Sequence, residues 1–293
     1  MPLAEENERA IDEALQAWRQ GDVSLDAGLE FLHCADLTRP HSPASRQLAE
    51  TMAESGELIE AGATPVLDEG VNGMVMLSQT CDVVRGCRDR PFVEVAPLIE
   101  VSEQFLEDVR RLKRPAFAYV PATAGSRLVA DLDRSMTVEK AIVAGWTRTP
   151  GWQDDNELRD FALALARKRS RFAFPDDFID AARDLQKRLA GKHNKNTDEG
   201  AHLRALREIR VRAAPSWADA QVHLSWWFIK DDDPDGVVVN WPKFLEEWMS
   251  LFDQRGRFDL DTYIACRLED MTARDYVESE RLDLDSLSVS RNG

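Results

Sequence analysis

Five side chains with chemical reach, Ser78, Gln79, Thr80, Cys81 and Asp82, follow directly on the apolar run 74–77. A cysteine at the end of a strand can act as a nucleophile when a cationic partner lowers its pKa and a histidine takes its proton. Ser78 or Gln79 would lend polar donors, so Ser78, Gln79, Cys81 and Asp82 are the candidate catalytic residues. The available bases are His33, His41, His193, His202 and His223, and residue order does not give their distance from Cys81. In the competing reading Cys81 is a small apolar filler, and Ser78, Gln79 and Asp82 fasten a turn through side-chain to main-chain hydrogen bonds.

Other chemistries find less in the chain. His33, Cys34, His41, Cys81 and Cys87 include enough soft ligands for a tetrahedral zinc site, but five residues separate Cys81 from Cys87 and there is no Cys-x-x-Cys pair. No metal and no cofactor is therefore expected. The acidic run 231–236 lacks the closing glutamate of a calcium loop and reads as a solvated turn. Gly-rich phosphate loops, a Gly-x-Ser-x-Gly elbow and His-Glu-x-x-His are absent, which removes support for nucleotide hydrolysis, serine hydrolases and metalloproteases.

Two features point to binding. Trp226 and Trp227 are adjacent in an apolar run, and on a strand they face opposite ways: one enters the core, and the other is either covered or offered to a partner. Between Arg167 and Arg212 there are 13 Lys and Arg against 7 Asp and Glu, opening with Arg167, Lys168, Arg169 and Arg171. Such a segment is either a set of solvated helix faces or a contact for RNA or an acidic partner.

The 293-residue chain carries a formal charge of -16, which argues against binding a phosphate backbone over its whole surface. Apolar residues make up 43% and charged residues 31%, the balance of a soluble globular protein. No window holds eighteen consecutive apolar residues, and the amino terminus is acidic where a leader would be basic. A cytoplasmic protein with reduced cysteines and no membrane partner is expected.

Periodicity and turn signals assign the elements that must position these residues. Helices are expected over 5–18 and 44–58, the first with Ala10, Ile11, Ala14, Leu15 and Trp18 on one face. Strands follow at 64–67, 73–78, 91–101, 116–120, 127–132 and 138–143, with a polar helix at 103–114. Their short lengths and Gly and Pro punctuation indicate a small, strongly bent, closed antiparallel barrel. Composition places a boundary at 146–156, giving domains 1–150 and 151–293. The second begins with helices at 157–169 and 178–189. Strands 206–211, 221–229 and 258–268 then flank a helix at 241–252, an α+β domain with its helix packed on an antiparallel sheet.

Four stretches, 18–23, 75–83, 91–95 and 275–288, resemble a family of uncharacterised bacterial proteins with a Leu-Ser-Gln-Thr-Cys-Asp signature, here Leu77 to Asp82. The strand order of the first half is similar to the SH3-like barrel of MazF/PemK-type endoribonuclease toxins. That resemblance implies an SH3-like barrel with flanking helices, followed by the helical segment and the α+β domain. The toxins use an arginine ahead of the strand ending in Val-Leu-Ser and a hydroxyl after the next strand's Val-Pro. The matching positions here are Asn72 and Gly73, and Leu98 and Ile99. These resemblances imply an accessory protein of a stress-response, toxin-antitoxin or antiviral system that binds another protein. The alternatives are a diverged RNA-cleaving toxin and a hydrolase centred on Cys81.

Overall fold

The computed structural model describes residues 5–282 except 27, 59–61, 63, 113, 171, 191, 193–194, 196 and 231–239, together with the side chain of 204. Arg171, His193, the acidic run 231–236 and the tail beyond 282 thus lie outside the described residues. The chain divides into two compact units, Met1–Ser170 and Arg171–Gly293. Both mix helices with sheets.

In the first unit α1 (Glu5–Leu15) opens with Glu5, Glu6 and Glu8 at its positive end and buries Leu15. It is followed by β1 (Val23–Ser24), β2 (Glu30–Cys34) and α2 (Pro43–Ser55). Ser42 caps α2 by accepting from Ser45 N at 3.1 Å, and Gly56 ends it in the left-handed conformation, φ 73°. Next come β3 (Val66–Gly70), β4 (Met74–Met76), the single turn α3 (Thr80–Val83) and β5 (Phe92–Glu100). The unit continues through α4 (Glu103–Arg110), β6 (Phe117–Tyr119), β7 (Leu128–Asp131), β8 (Met136–Glu139), α5 (Lys140–Val143) and α6 (Asp155–Ser170).

The central sheet runs β1-β4-β5-β7-β6, with β8 on β5, and every pairing in it is antiparallel. Among the described residues no pairing joins β6 back to β1, so the sheet is open where a closed barrel was expected. The nine-residue β5 bonds to β4 and β8 over its first part and to β7 over Leu98–Glu100, with Pro97 between. Both faces are covered. Met74 and Met76 point with Val93 and Val95 into a core shared with Leu15 and Trp18, while Val75 and Leu77 point with Ala96 and Leu98 into a second core.

That second core includes Phe161 and Ala164 of α6, which is why the first unit extends to Ser170 and not to the boundary expected at 150. A second difference lies at 140–143, expected as strand. The β-branched run 137–143 does begin as β8, but Lys140 starts a turn of helix whose carbonyl accepts from Ala144 N at 2.9 Å.

The second unit contains α7 (Asp176–Leu189), α8 (Asp198–Ala205), β9 (Leu206–Ala214), β10 (Val222–Lys230), α9 (Trp241–Met249), β11 (Phe258–Arg267), α10 (Ala273–Glu278) and β12 (Glu280–Leu282). Its sheet order is β11-β10-β9-β12. It is not wholly antiparallel as expected: β11 lies parallel to β10, because the connection carrying α9 returns the chain to the same end of the sheet. One face of β10, Leu224, Trp226 and Phe228, packs against Phe178, Leu185 and Trp248 of the helices. Among the described residues no helix is long and apolar enough to cross a membrane.

In the first unit a Cβ on Gly151 would lie 1.8 Å from Gly21 O, a main-chain atom that cannot yield. Gly151→Ala is expected to lower stability by at least about 3 kcal/mol, against less than about 0.5 kcal/mol for Gly125→Ala, where the space is open. Urea unfolding of the two variants checks this.

Candidate functional site

Three of the stretches singled out by resemblance meet at the end of β4. Gly21 N donates to Met76 O and Met76 N to Asp22 O, each at 2.8 Å. On the other side Leu77 N and Ser78 N both donate to Glu94 O, at 2.9 and 3.2 Å, and Ser78 Oγ accepts from Glu94 N at 2.8 Å. Two residues of one strand thus oppose one of its partner, which bends the chain out of the sheet as a bulge does. The strand ends there and Thr80 begins α3. Cys81 and Asp82 therefore stand on one turn of helix, not on the strand end.

Gln20 is the clasp across this corner. Its Nε2 donates to Leu77 O at 2.8 Å, its backbone N to Thr80 Oγ1 at 3.2 Å, and its carbonyl accepts from Trp152 Nε1 at 2.9 Å. Beside it Asp22 is 1% exposed. Its carboxylate accepts from Arg19 N at 2.7 Å, Arg148 Nε at 2.5 Å and Gly151 N at 3.2 Å, so a buried charge is both paired and hydrogen-bonded.

The far side of α3 is held by Lys140, which has no exposed surface. Its Nζ donates to Asp82 O at 2.7 Å and to Arg85 O at 2.5 Å. Burial pushes the ammonium below the ordinary lysine value of 10.5, opposed by the charges of Asp12, Cys87 and Asp82. Cys87 N donates to Asp12 Oδ1 at 2.7 Å, and burial, with Asp12 next to it, pushes the Cys87 thiol up. The lysine acts as a cap on carbonyls at the carboxyl end of α3.

The thiol of Cys81 is exposed and donates to Gln79 Oε1 at 3.7 Å. Among the described residues no histidine or cation pairs with it, and His33 is bonded to Ser42 Oγ at 3.4 Å. The structure gives Ser78 to the main chain of Glu94 and, among the described residues, pairs Cys81 with no base. Of the positions matching the toxin residues, Gly73 is buried and Leu98 is fully enclosed, while Asn72 is exposed and Ile99 half-buried; none of the four is an arginine or carries a hydroxyl. Among the described residues no group of three or more His, Cys, Asp or Glu is placed to hold a metal.

The binding candidates are also engaged. Lys168 is ion-paired with Asp133, Arg169 with Glu94, and Arg167 is half-buried with a partner of its own. These cations tie α6 to the first unit and do not form a free basic face. Trp226 is fully enclosed in the helix-covered core. Trp227 does face the other way, but it is 6% exposed, packed with Ile229, Cys266 and Met271 under the Arg212 guanidinium at 5.3 Å. The neighbouring strand and a cation cover the ring that was a candidate for a partner.

Gln20, Asp22, Glu94, Lys140, Arg148 and Trp152 are the residues of this corner that sequence reasoning passed over as site residues. The Gly-Asp step at 21–22 and the Pro-Gly-Trp step at 150–152 each signalled a break, but nothing in their order says that the two breaks touch. No protein-family model matches the chain, and no curated protein matches it by sequence.

Lys140→Met is expected to cost about 1–3 kcal/mol by leaving two carbonyls without a donor. The pH dependence has a definite sign. The unfolded chain holds this proton more tightly than the folded one, so the wild type gains stability over the variant as pH rises through the depressed value toward 10.5. Denaturant midpoints for both proteins at neutral pH and near about pH 10 check it.

Proposed function

We propose that this chain is a bacterial, cytoplasmic interaction protein that acts by binding another protein, with an SH3-like first unit and a place in a stress-response or phage-defence system. The observation that carries the reading is how the signature's side chains are used: Ser78 and Thr80 bond to main chain, and Cys81 has an amide oxygen for its partner, while the turn itself is held by Lys140 on the Asp82 main-chain carbonyl. Nucleophilic catalysis needs a base within reach of the thiol, and RNA cleavage needs a free cation where charge develops. The defence setting rests on the family resemblance, since fold by itself carries no function.

Apolar side chains at the surface support a protein partner. Leu32 and Val66 are 50% and 63% exposed, and the register of β2 on β3 puts them on one face of that ribbon. An RNA partner for the segment from Arg167 to Arg212 is the weaker reading, because Lys168 and Arg169 are ion-paired within the first unit.

Cys81→Ser and Asp82→Ala are expected to fold and to retain whatever cellular phenotype the wild type confers, and the purified chain is expected to leave labelled RNA intact. Loss of phenotype in folded Cys81→Ser would favour the cysteine hydrolase, and RNA cut by the pure chain would favour the nuclease. The pair Leu32→Asp and Val66→Asp is expected to abolish the phenotype while preserving the fold, as judged by circular dichroism.

A further inference from the structure

A polar cleft of about 730 Å3 lies wholly within the second unit, between the end of β9 and α10. That volume is ordinary for a ligand site. Arg212, Ala213, Ala214, Arg274, Asp275 and Glu278 line it. Its two signs of charge are unequally satisfied. Asp275 accepts from Arg212 Nη1 at 2.6 Å and from Thr272 Oγ1 at 2.7 Å. Glu278 accepts from Arg274 Nε at 2.8 Å and has Arg212 Nη1 at 3.6 Å. The carboxylates are thus occupied, whereas the Nε and Nη2 donors of Arg212 have no protein partner among the described residues. The guanidinium is held in place by the two carboxylates on one side and by the Trp227 ring at 5.3 Å on another. A fixed fork with free donors is suited to an incoming carboxylate.

The strand beside it is also incomplete. On one edge β9 pairs with β10 as far as Ala214, but on the other β12 pairs with Ile209 to Val211 and no further. The edge of Arg212 to Ala214 that faces away from β10 has no strand partner among the described residues. An extended peptide can complete such an edge. It cannot continue past Arg212, because Glu280 of β12 already stands opposite Val211. The peptide must end where the guanidinium stands.

We infer that this cleft binds the C-terminal residues of a partner protein as a short added strand, with the terminal carboxylate on Nε and Nη2 of Arg212. The assignment goes beyond the protein-binding reading by adding a second surface, in the other unit; it is tested by direct binding and stands or falls apart from the phenotype of the Cys81 and Leu32 variants.

The test uses the full chain labelled with 15N and three probes: acetyl-Val-Thr-Val with a free carboxylate, the same peptide as its carboxamide, and acetyl-Val-Glu-Val-amide. The free-acid peptide is expected to shift the Arg212 Nε–H and the Ala213 amide resonances at millimolar concentration, with the carboxamide at least about tenfold weaker. Arg212→Lys, which keeps the charge and loses the fork, is expected to weaken the free acid by about tenfold or more while the remaining spectrum stays that of a folded protein. Absence of these shifts in the wild type with the free acid overturns the proposal whether or not the variant folds. Equal response to the amidated glutamate peptide overturns the chain-terminus assignment. A response of Arg212 to the free-acid peptide without movement at Ala213, matched by inorganic phosphate, overturns the added strand.

Discussion

The first unit depends on a reciprocal pair of main-chain hydrogen bonds, Gly21 N to Met76 O and Met76 N to Asp22 O, made around a buried carboxylate. A carboxylate cannot be enclosed without donors, and Asp22 takes its donors from Arg19, Arg148 and Gly151. To place its neighbours, Gly21 adopts φ 87°, a conformation that costs glycine little, and its carbonyl side leaves no room for any Cβ at 151. Gln20, the next residue back, is thereby aimed at Leu77 and Thr80. The position of the exposed Cys81 follows from a charge buried at Asp22, far from it in the chain.

How legible this was depends on where the information lies. Long periodic stretches carried their own signal: α1, α2, α7 and α9 lie close to where apolar spacing places them, although α2 spans Pro43–Ser55 where 44–58 was expected. The strands at 91–101 and 221–229 were equally plain. By contrast β1 has two residues and no pattern, and β2 was lost in an alternation of polar and apolar residues between loops. The helical turn α5 was hidden by β-branched neighbours and by a lysine whose burial only the carbonyls of α3 explain. Pairing direction is not local at all, so the parallel β10 and β11 could not be read from either strand.

The candidate site shows the same division. That 78–82 is a special corner was visible from an apolar run stopping abruptly at polar side chains. What those side chains do was not, because Ser78 and Thr80 have their partners at Glu94 and Gln20, and the turn they open is held through the Asp82 main-chain carbonyl by Lys140. Charge was misleading for a similar reason. The basic segment is real as composition, but Arg188 and Lys192 hold Glu199, and Arg210 and Arg212 hold α10 through Tyr276, Ser279 and Asp275. These cations are thus balanced locally, and the chain's excess of acid is left to set the long-range field.

The partners of Asp22 at Arg148 and Gly151 stand 126 and 129 residues further along the chain. A nascent polypeptide leaving the ribosome therefore has its acidic anchor outside long before the groups that neutralise it exist. At ordinary translation speeds the interval is on the order of ten seconds. During it α6 has not yet been made, so the face of β4 and β5 that carries Val75, Leu77, Ala96 and Leu98 is without the cover that Phe161 and Ala164 later bring.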